Sequence, residues 1–334
     1  MRAGVVAALI VLVQVFFVSC STKTQGNSIT FEEQAVPATQ SLPDNKGWVF
    51  VWGDEFAGAV LDRNKWEPEV SCWGGGNNEH QCYTDRPENI RIEDGVLKLI
   101  ARPERFNGPS LPQEFEDRGP NVTRDYTSGK VRTRDKASWK YGRMSARIKL
   151  PKGQSTWPAF WMMPEDDVYG KWPLSGEIDI MEAVNLGAAC DDCGDSDVEI
   201  RTSGALHFGK AWPDNEFVTQ SRSLENLESV DGFHEFTLEW GQGKMNWFVD
   251  GELFFTTTLD DWYTASVSAS ENANAPFDQA FHLMFNLAVG GNYPDQNNEK
   301  KFNPSSFPNE LWVDWVRVYQ CETDQETGLS LIHI

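Results

Sequence analysis

The feature that most restricts this chain is how its apolar residues are divided. From about Gly47 onward they fall in short runs with almost no helical periodicity: Trp48–Trp52, Gly95–Ala101, Gly129–Thr133, Arg143–Leu150, Trp157–Met162, Glu177–Met181, Gly204–Phe208, Phe233–Trp240, Met245–Val249, Leu253–Thr257, Ala280–Leu287 and Leu311–Tyr319. Loops of Gly, Pro, Asn and Asp separate them. Asp250-Gly251 between two runs is a two-residue hairpin signal. So many short strands predict an all-β sandwich or barrel.

The ends read differently. Arg2 followed by the apolar stretch Ala3 to Val18 predicts an export signal over residues 1–20. The stretch is short for a bilayer span. Ser19-Cys20 resembles the end of a bacterial lipoprotein signal, with Cys20 the lipidated residue; plain secretion is the alternative. Residues 21–45 are polar and aperiodic, as a flexible tether would be. A catalytic domain is expected over 46–322 and a tail over 323–334. Of the six cysteines, Cys72 with Cys82 and Cys190 with Cys193 can pair in an oxidising compartment. Zinc at Cys190-Asp-Asp-Cys193 lacks a second ligand pair. The net charge of −21 argues against nucleic acid or an anionic bilayer as partner and leaves a neutral ligand unaffected. Fourteen Trp fit either an aromatic core or the stacking of sugars.

Ser175-Gly-Glu177-Ile-Asp179-Ile-Met-Glu182 carries the chemistry. In a strand Glu177 and Asp179 share one face while Ile178 and Ile180 point into the core. Like charges two apart suit no simple structural role, although a solvated edge or a calcium cluster has the same composition. Glu182 falls on the wrong face unless one β-bulge near Met181 returns it. The bulge leaves four residue rises between the glutamates, roughly 13 Å, so that side chains leaning together bring the carboxylates to about 5 Å. That is the separation of a retaining glycosidase, and Asp179 between them helps keep the two carboxyls in different protonation states. Trp157 and Trp161 share a strand face, as stacking platforms or as core. Trp172 lies just before the acids, and His207 is structural or functional.

These residues are similar to glycoside hydrolase family 16, its bacterial laminarinases in particular. The resemblance runs from Trp48 to Gln320 and rests on the bulged Glu177-to-Glu182 signature. Cys72-to-Gln81, Trp157-Pro-Ala-Phe-Trp161, Leu206-His207-Phe208-Gly209 and Phe285-to-Asn292 add to it. It implies a β-jelly-roll sandwich of two antiparallel sheets, concanavalin A-like, with a concave substrate cleft. It also implies retaining endo-hydrolysis of β-1,3-glucosidic bonds in laminarin-like glucans by a monomer without a catalytic cofactor. Glu177 would be nucleophile, Glu182 acid/base and Asp179 the assisting acid, with sugar contacts from Asn78, Trp157, Trp161, Trp172 and His207. A structural calcium would lie on Glu55, the carbonyl of Gly95, and Asp314, oxygen ligands that suit the ion. Cys190–Asp197 matches no family element, and His80-Gln81 depart from the usual motif. Rival readings are an agarase or mixed-linkage glucanase on the same fold, a non-catalytic glucan-binding relative, and a calcium lectin, which leaves the three-acid strand unexplained.

Overall fold

The structure is a computed structural model that describes residues 47–191, 193, 196–224, 229–297, 301–330 and 332. The expected export signal, lipid anchor and tether lie outside the described residues. Everything described belongs to one unit, Leu42–Ile334.

Seventeen strands are found among the described residues: β1 (Trp48–Asp54), β2 (Glu67–Pro68), β3 (Gln81–Tyr83), β4 (Ile90–Glu93), β5 (Val96–Pro109), β6 (Asn121–Ser128), β7 (Lys130–Arg132), β8 (Gly142–Lys149), β9 (Thr156–Pro164), β10 (Glu177–Glu182), β11 (Arg201–Gly209), β12 (Asn215–Ser223), β13 (His234–Gly241), β14 (Lys244–Val249), β15 (Glu252–Thr258), β16 (Phe281–Val289) and β17 (Asn309–Cys321). One short helix, α1 (Asn292–Gln296), follows β16. Ten strands form one sheet, along β15-β14-β13-β8-β17-β5-β6-β3 with β1 beside β17 and β4 beside β5. Seven form the other, in the order β12-β11-β10-β9-β16-β7-β2. This is the jelly-roll sandwich expected. All pairings within the two sheets are antiparallel save β3 with β6, which run parallel. The hairpin at Asp250-Gly251 joins β14 to β15, with φ of 51° and 81° at its two central residues, as a type I′ turn requires.

Alternation explains the layers. On β16 and β9, Phe285 lies opposite Phe160, both fully buried, with rings stacked at 4.6 Å. From the other sheet Leu97, Leu99, Met144, Ile148, Trp240 and Trp247 meet them without exposure. Truncating a ring such as Phe160 to Ala would cost about 3–5 kcal/mol. The tryptophans divide between both readings of their number: Trp66, Trp240 and Trp247 are core, while Trp157, Trp161 and Trp172 stand at the acids.

The expected tail packs against the sandwich. Gln242 donates its backbone N–H to the Thr327 carbonyl at 2.7 Å, Gly328 donates to Asp324 at 2.9 Å, and Ile332 is buried against Gly241. Residues 323–330 fold back over the β13–β14 turn because Gly241 leaves room there for an isoleucine.

Candidate active site

The middle strands of the seven-stranded sheet carry the site. Opposite β10, strand β11 provides a ruler: Glu177 faces His207, Asp179 faces Ala205, and Glu182 faces Ser203. Two residues on β10 between Asp179 and Glu182, Ile180 and Met181, thus lie opposite one on β11, Gly204, which is a bulge. On the β9 side Asp179 faces Trp161 and Met181 faces Phe160, so Ile180 is the inserted residue. The two glutamates end up four ladder positions apart on one face, with Asp179 midway. Ile178, Ile180 and Met181 are buried beneath.

Each acid has its own partners. Trp172, at the tip of the preceding loop, donates its indole N–H to Glu177. Trp157, on β9, donates to Glu182 at 2.9 Å. His207 Nε2 lies 3.4 Å from Asp179 Oδ2. Trp161 stands directly across the ladder from Asp179 and donates instead to Asn286 at 2.6 Å. Asn286 in turn donates to the Tyr83 hydroxyl at 3.2 Å. Lys130 lies over the Trp161 ring at 4.9 Å and pairs with buried Glu69 at 2.9 Å.

Burial and then the Asp179 charge push the Glu177 carboxyl up to about 7, against the opposing pull of His207, the Trp172 bond and Lys130. The same two causes push Glu182 to about 8, with the Glu177 charge adding to them. Burial would lower His207, but the bond to Asp179 and the charges of the three acids raise it to about 10. At neutral pH His207 therefore carries a proton. Of the two glutamates, Glu182 keeps its proton to the higher pH.

The site thus brings together Glu177, Asp179, Glu182, Trp157, Trp161, Trp172 and His207. Asn78 lies one step out: its amide donates to Asn292 at 3.0 Å, and the next residue, Tyr293, sets its ring against Trp157 at 5.4 Å. Tyr293, Asn286 and Ser203, which line the site or support it, escaped sequence reasoning. The Gly290-Gly291-Asn292 motif adjoining Tyr293 was the available signal.

The calcium positions have a different outcome. Backbone topology gathers them around the β17 irregularity between Val313 and Trp315. Glu55 follows Asp54, the partner of Val316, and Gly95 precedes β5, whose Leu97 faces Val313. Both carboxylates are taken by guanidinium groups, however. Arg317 holds Glu55 with two bonds at 2.7 and 2.8 Å, and Arg147 pairs with Asp314. Calcium takes six to eight oxygen ligands, and neither carboxylate is free for it. The donor set in this arrangement does not fit the ion.

Among the described residues two further groups gather metal-capable side chains. Cys190 and Cys193 are joined in a disulfide, and Glu199 beside them accepts from Arg201 at 2.8 Å, which leaves zinc no thiolate. The other group is Glu177, Asp179 and His207, where the protonated imidazole is no ligand. Cys72 and Cys82 form the second disulfide, and Cys321 is a buried free thiol.

Two half-buried carboxyls with raised pKa, one ladder face and an intervening buried acid are equipped to cleave an acetal between sugars, and the class is that of the glycoside hydrolases. The family model described as "Beta-porphyranase A-D, GH16 domain" matches residues 48–321, and the chain belongs to glycoside hydrolase family 16. It is 38% identical over 301 residues to glucan endo-1,3-beta-glucosidase A1 of Niallia circulans, an alignment covering 87% of this chain and 41% of that protein. It is also 38% identical over 284 residues to the beta-glucanase of Rhodothermus marinus, covering 82% of this chain and 85% of the relative. The solved laminarinase from Rhodothermus marinus superposes with a TM-score of 0.62 at 35% identity, over 81% of this chain and 97% of that one.

Proposed function

We propose that the protein is an endo-β-1,3-glucanase that hydrolyses laminarin-like glucans with retention, with Glu177 as nucleophile and Glu182 as acid/base. The observation that supports the reacting pair is the bulged strand, which sets the two carboxyls four ladder positions apart on one face; the division of roles follows their positions in the motif, and the higher-titrating Glu182 suits the acid. Ionised Glu177 attacks the anomeric carbon and forms a glycosyl ester, while Glu182 delivers its proton to the departing glycosidic oxygen. Glu182, now a carboxylate, takes a proton from water, and the hydroxide oxygen displaces Glu177 from the anomeric carbon. Two inversions give net retention. Asp179 keeps the proton on Glu182 through its charge, and Trp157, Trp161 and Trp172 offer ring faces to the sugars.

The linkage assignment draws on the names of the Niallia circulans relative, a glucan endo-1,3-beta-glucosidase, and of the solved Rhodothermus marinus laminarinase. A galactan is the competing reading, favoured by the description of the matching family model. Reducing-sugar release from laminarin, curdlan, lichenan, agarose and porphyran decides between them. Cleavage of agarose or porphyran with laminarin left intact overturns the glucan assignment. For the roles, Glu177→Ala with an activated β-glucosyl donor and azide should yield the α-glycosyl azide, and Glu182→Ala the β-glycosyl azide. Exchanged products would exchange the roles.

Export with a lipid anchor at Cys20 to a bacterial outer membrane or cell surface, and action as a monomer, complete the reading. Calcium enters no step of it.

A further inference from the structure

Strand β10 is braced from behind. Trp247 of β14, in the ten-stranded sheet, crosses the core with no exposed surface and donates its indole N–H to the backbone carbonyl of Asp179 at 2.9 Å. Asp179 is the last regular ladder position before the register shift on both flanks. The indole reaches that carbonyl by lying against Gly204 of β11, the neighbour of the residue facing Asp179. A methyl group on Gly204 would stand 2.6 Å from the ring carbon Cδ1 and 2.8 Å from Nε1. Phe255, the residue facing Trp247 on β15, packs beside the ring with centroids 4.6 Å apart and makes no part of the bond to Asp179.

We propose that Trp247 is a positioning residue for hydrolysis: its bond to the Asp179 carbonyl, made possible by Gly204, fixes where the bulge begins and so the spacing of Glu177 and Glu182. The reason is the softness of a bulge. An extra residue is left unpaired and can migrate along a strand, and a one-residue shift changes the face of every side chain beyond it. If the bulge moved toward Glu177, Asp179 would turn inward. If it were lost, Glu182 would. A donor from another sheet pins one carbonyl independently of the ladder. Without it the carbonyl would lose a buried partner, which disfavours this register. The proposal rests on Glu177 and Glu182 being the reacting pair.

The experiment compares three replacements in the full chain: Trp247→Phe, a tryptophan isostere at 247 with sulfur in place of the N–H, and Gly204→Ala. The isostere keeps the ring's shape and so preserves the fold where Trp247→Phe does not. Phe255→Leu is the control that loosens the same part of the core without removing the donor. All three replacements should lower kcat on laminarin on the order of 10²-fold with little change in KM, as expected for a misplaced reacting group. They should also shift the limbs of the pH–rate profile, which a purely structural loss would leave in place. Phe255→Leu should lower the melting temperature and keep both kcat and the profile. Wild-type kcat and profile in the isostere would overturn the proposal. Glu177→Ala run in parallel separates the two ideas. If it still cleaves laminarin the reading of the pair fails, whereas if it is inactive while the isostere is normal only the brace fails.

Discussion

Asp179→Asn tests the electrostatic logic most directly, because it removes a charge and leaves a side chain of the same size. Asp179 lies two ladder positions from each glutamate, roughly 7 Å at 3.3 Å per rise. At an effective dielectric constant of about 20, a like charge at that distance disfavours ionisation by about 2 kcal/mol, between one and two pH units. Burial contributes the larger share to both raised carboxyls and is unchanged by the substitution. Both limbs of the bell should therefore slide to lower pH. The sign follows from the roles: with the Asp179 charge gone, Glu182 gives up its proton earlier and the variant lacks an acid at pH 7, while Glu177 is ionised at pH values where the wild type is still protonated.

The acid limb is the cleaner readout. His207 loses its Asp179 partner too, and a neutral His207 would raise both glutamates and offset the shift. Below the ordinary imidazole range the ring keeps its proton with or without Asp179. The assay is kcat/KM on a soluble laminarin from pH 4 to 9. A variant whose bell keeps its position and loses only height would refute this account, and Asp179 would then be a geometric support alone.

Three further outcomes are expected. Because Glu182 titrates higher in the folded chain than in the unfolded one, its contribution to stability is present at low pH and lost as pH rises toward about 8. Glu182→Gln should accordingly gain in melting temperature relative to wild type between pH 5 and pH 8.5, and an equal difference at both pH values would contradict the raised pKa. Deleting residues 323–334 uncovers Gly241 and removes the burial of Ile332, worth about 2 kcal/mol, so thermal unfolding should start several degrees lower with kcat preserved; an unchanged melting curve would mean that the fold-back contributes nothing. Cys20→Ala in the native host should release the protein from the membrane fraction and lower its mass by the acyl groups, and unchanged fractionation and mass would rule out the anchor.

What was legible in the sequence was whatever depends on parity within one strand. Face alternation placed Glu177 and Asp179 together, and the odd position of Glu182 demanded a bulge beside Met181, where Ile180 is the inserted residue. Asp250-Gly251 announced its hairpin by local φ requirements alone. Strands without a buried face stayed hidden. β12, Asn-Glu-Phe-Val-Thr-Gln-Ser-Arg-Ser, is an edge strand with mostly exposed positions, and no apolar alternation marks it. The outer half of β5 and its partner β6 carry Arg, Asn, Asp and Pro103 for the same reason. Partners from other elements were equally hidden: Trp247 reads as an ordinary apolar position on β14, and nothing in its neighbours tells that it meets Asp179, 68 residues away.

The tryptophans around β10 share a chemical reason for being tryptophan. Three indoles from three elements donate to this one strand: Trp172 to Glu177, Trp157 to Glu182 and Trp247 to the Asp179 carbonyl. An indole N–H is a donor only and carries no charge. A lysine or arginine at the same place would hold a carboxylate as firmly, but an opposite charge within about 4–6 Å lowers a carboxyl pKa by one to three units. Glu182 would then be ionised at neutral pH and have no proton to deliver. The permanent cations nearby are directed elsewhere: Lys130 pairs with Glu69, and Arg132 with Glu67 and Glu114. Orientation by neutral donors fixes the carboxyls and leaves their protonation to burial, to Asp179 and to the opposing charge of His207. An acid/base that must change its protonation state twice in each turnover requires that division of labour.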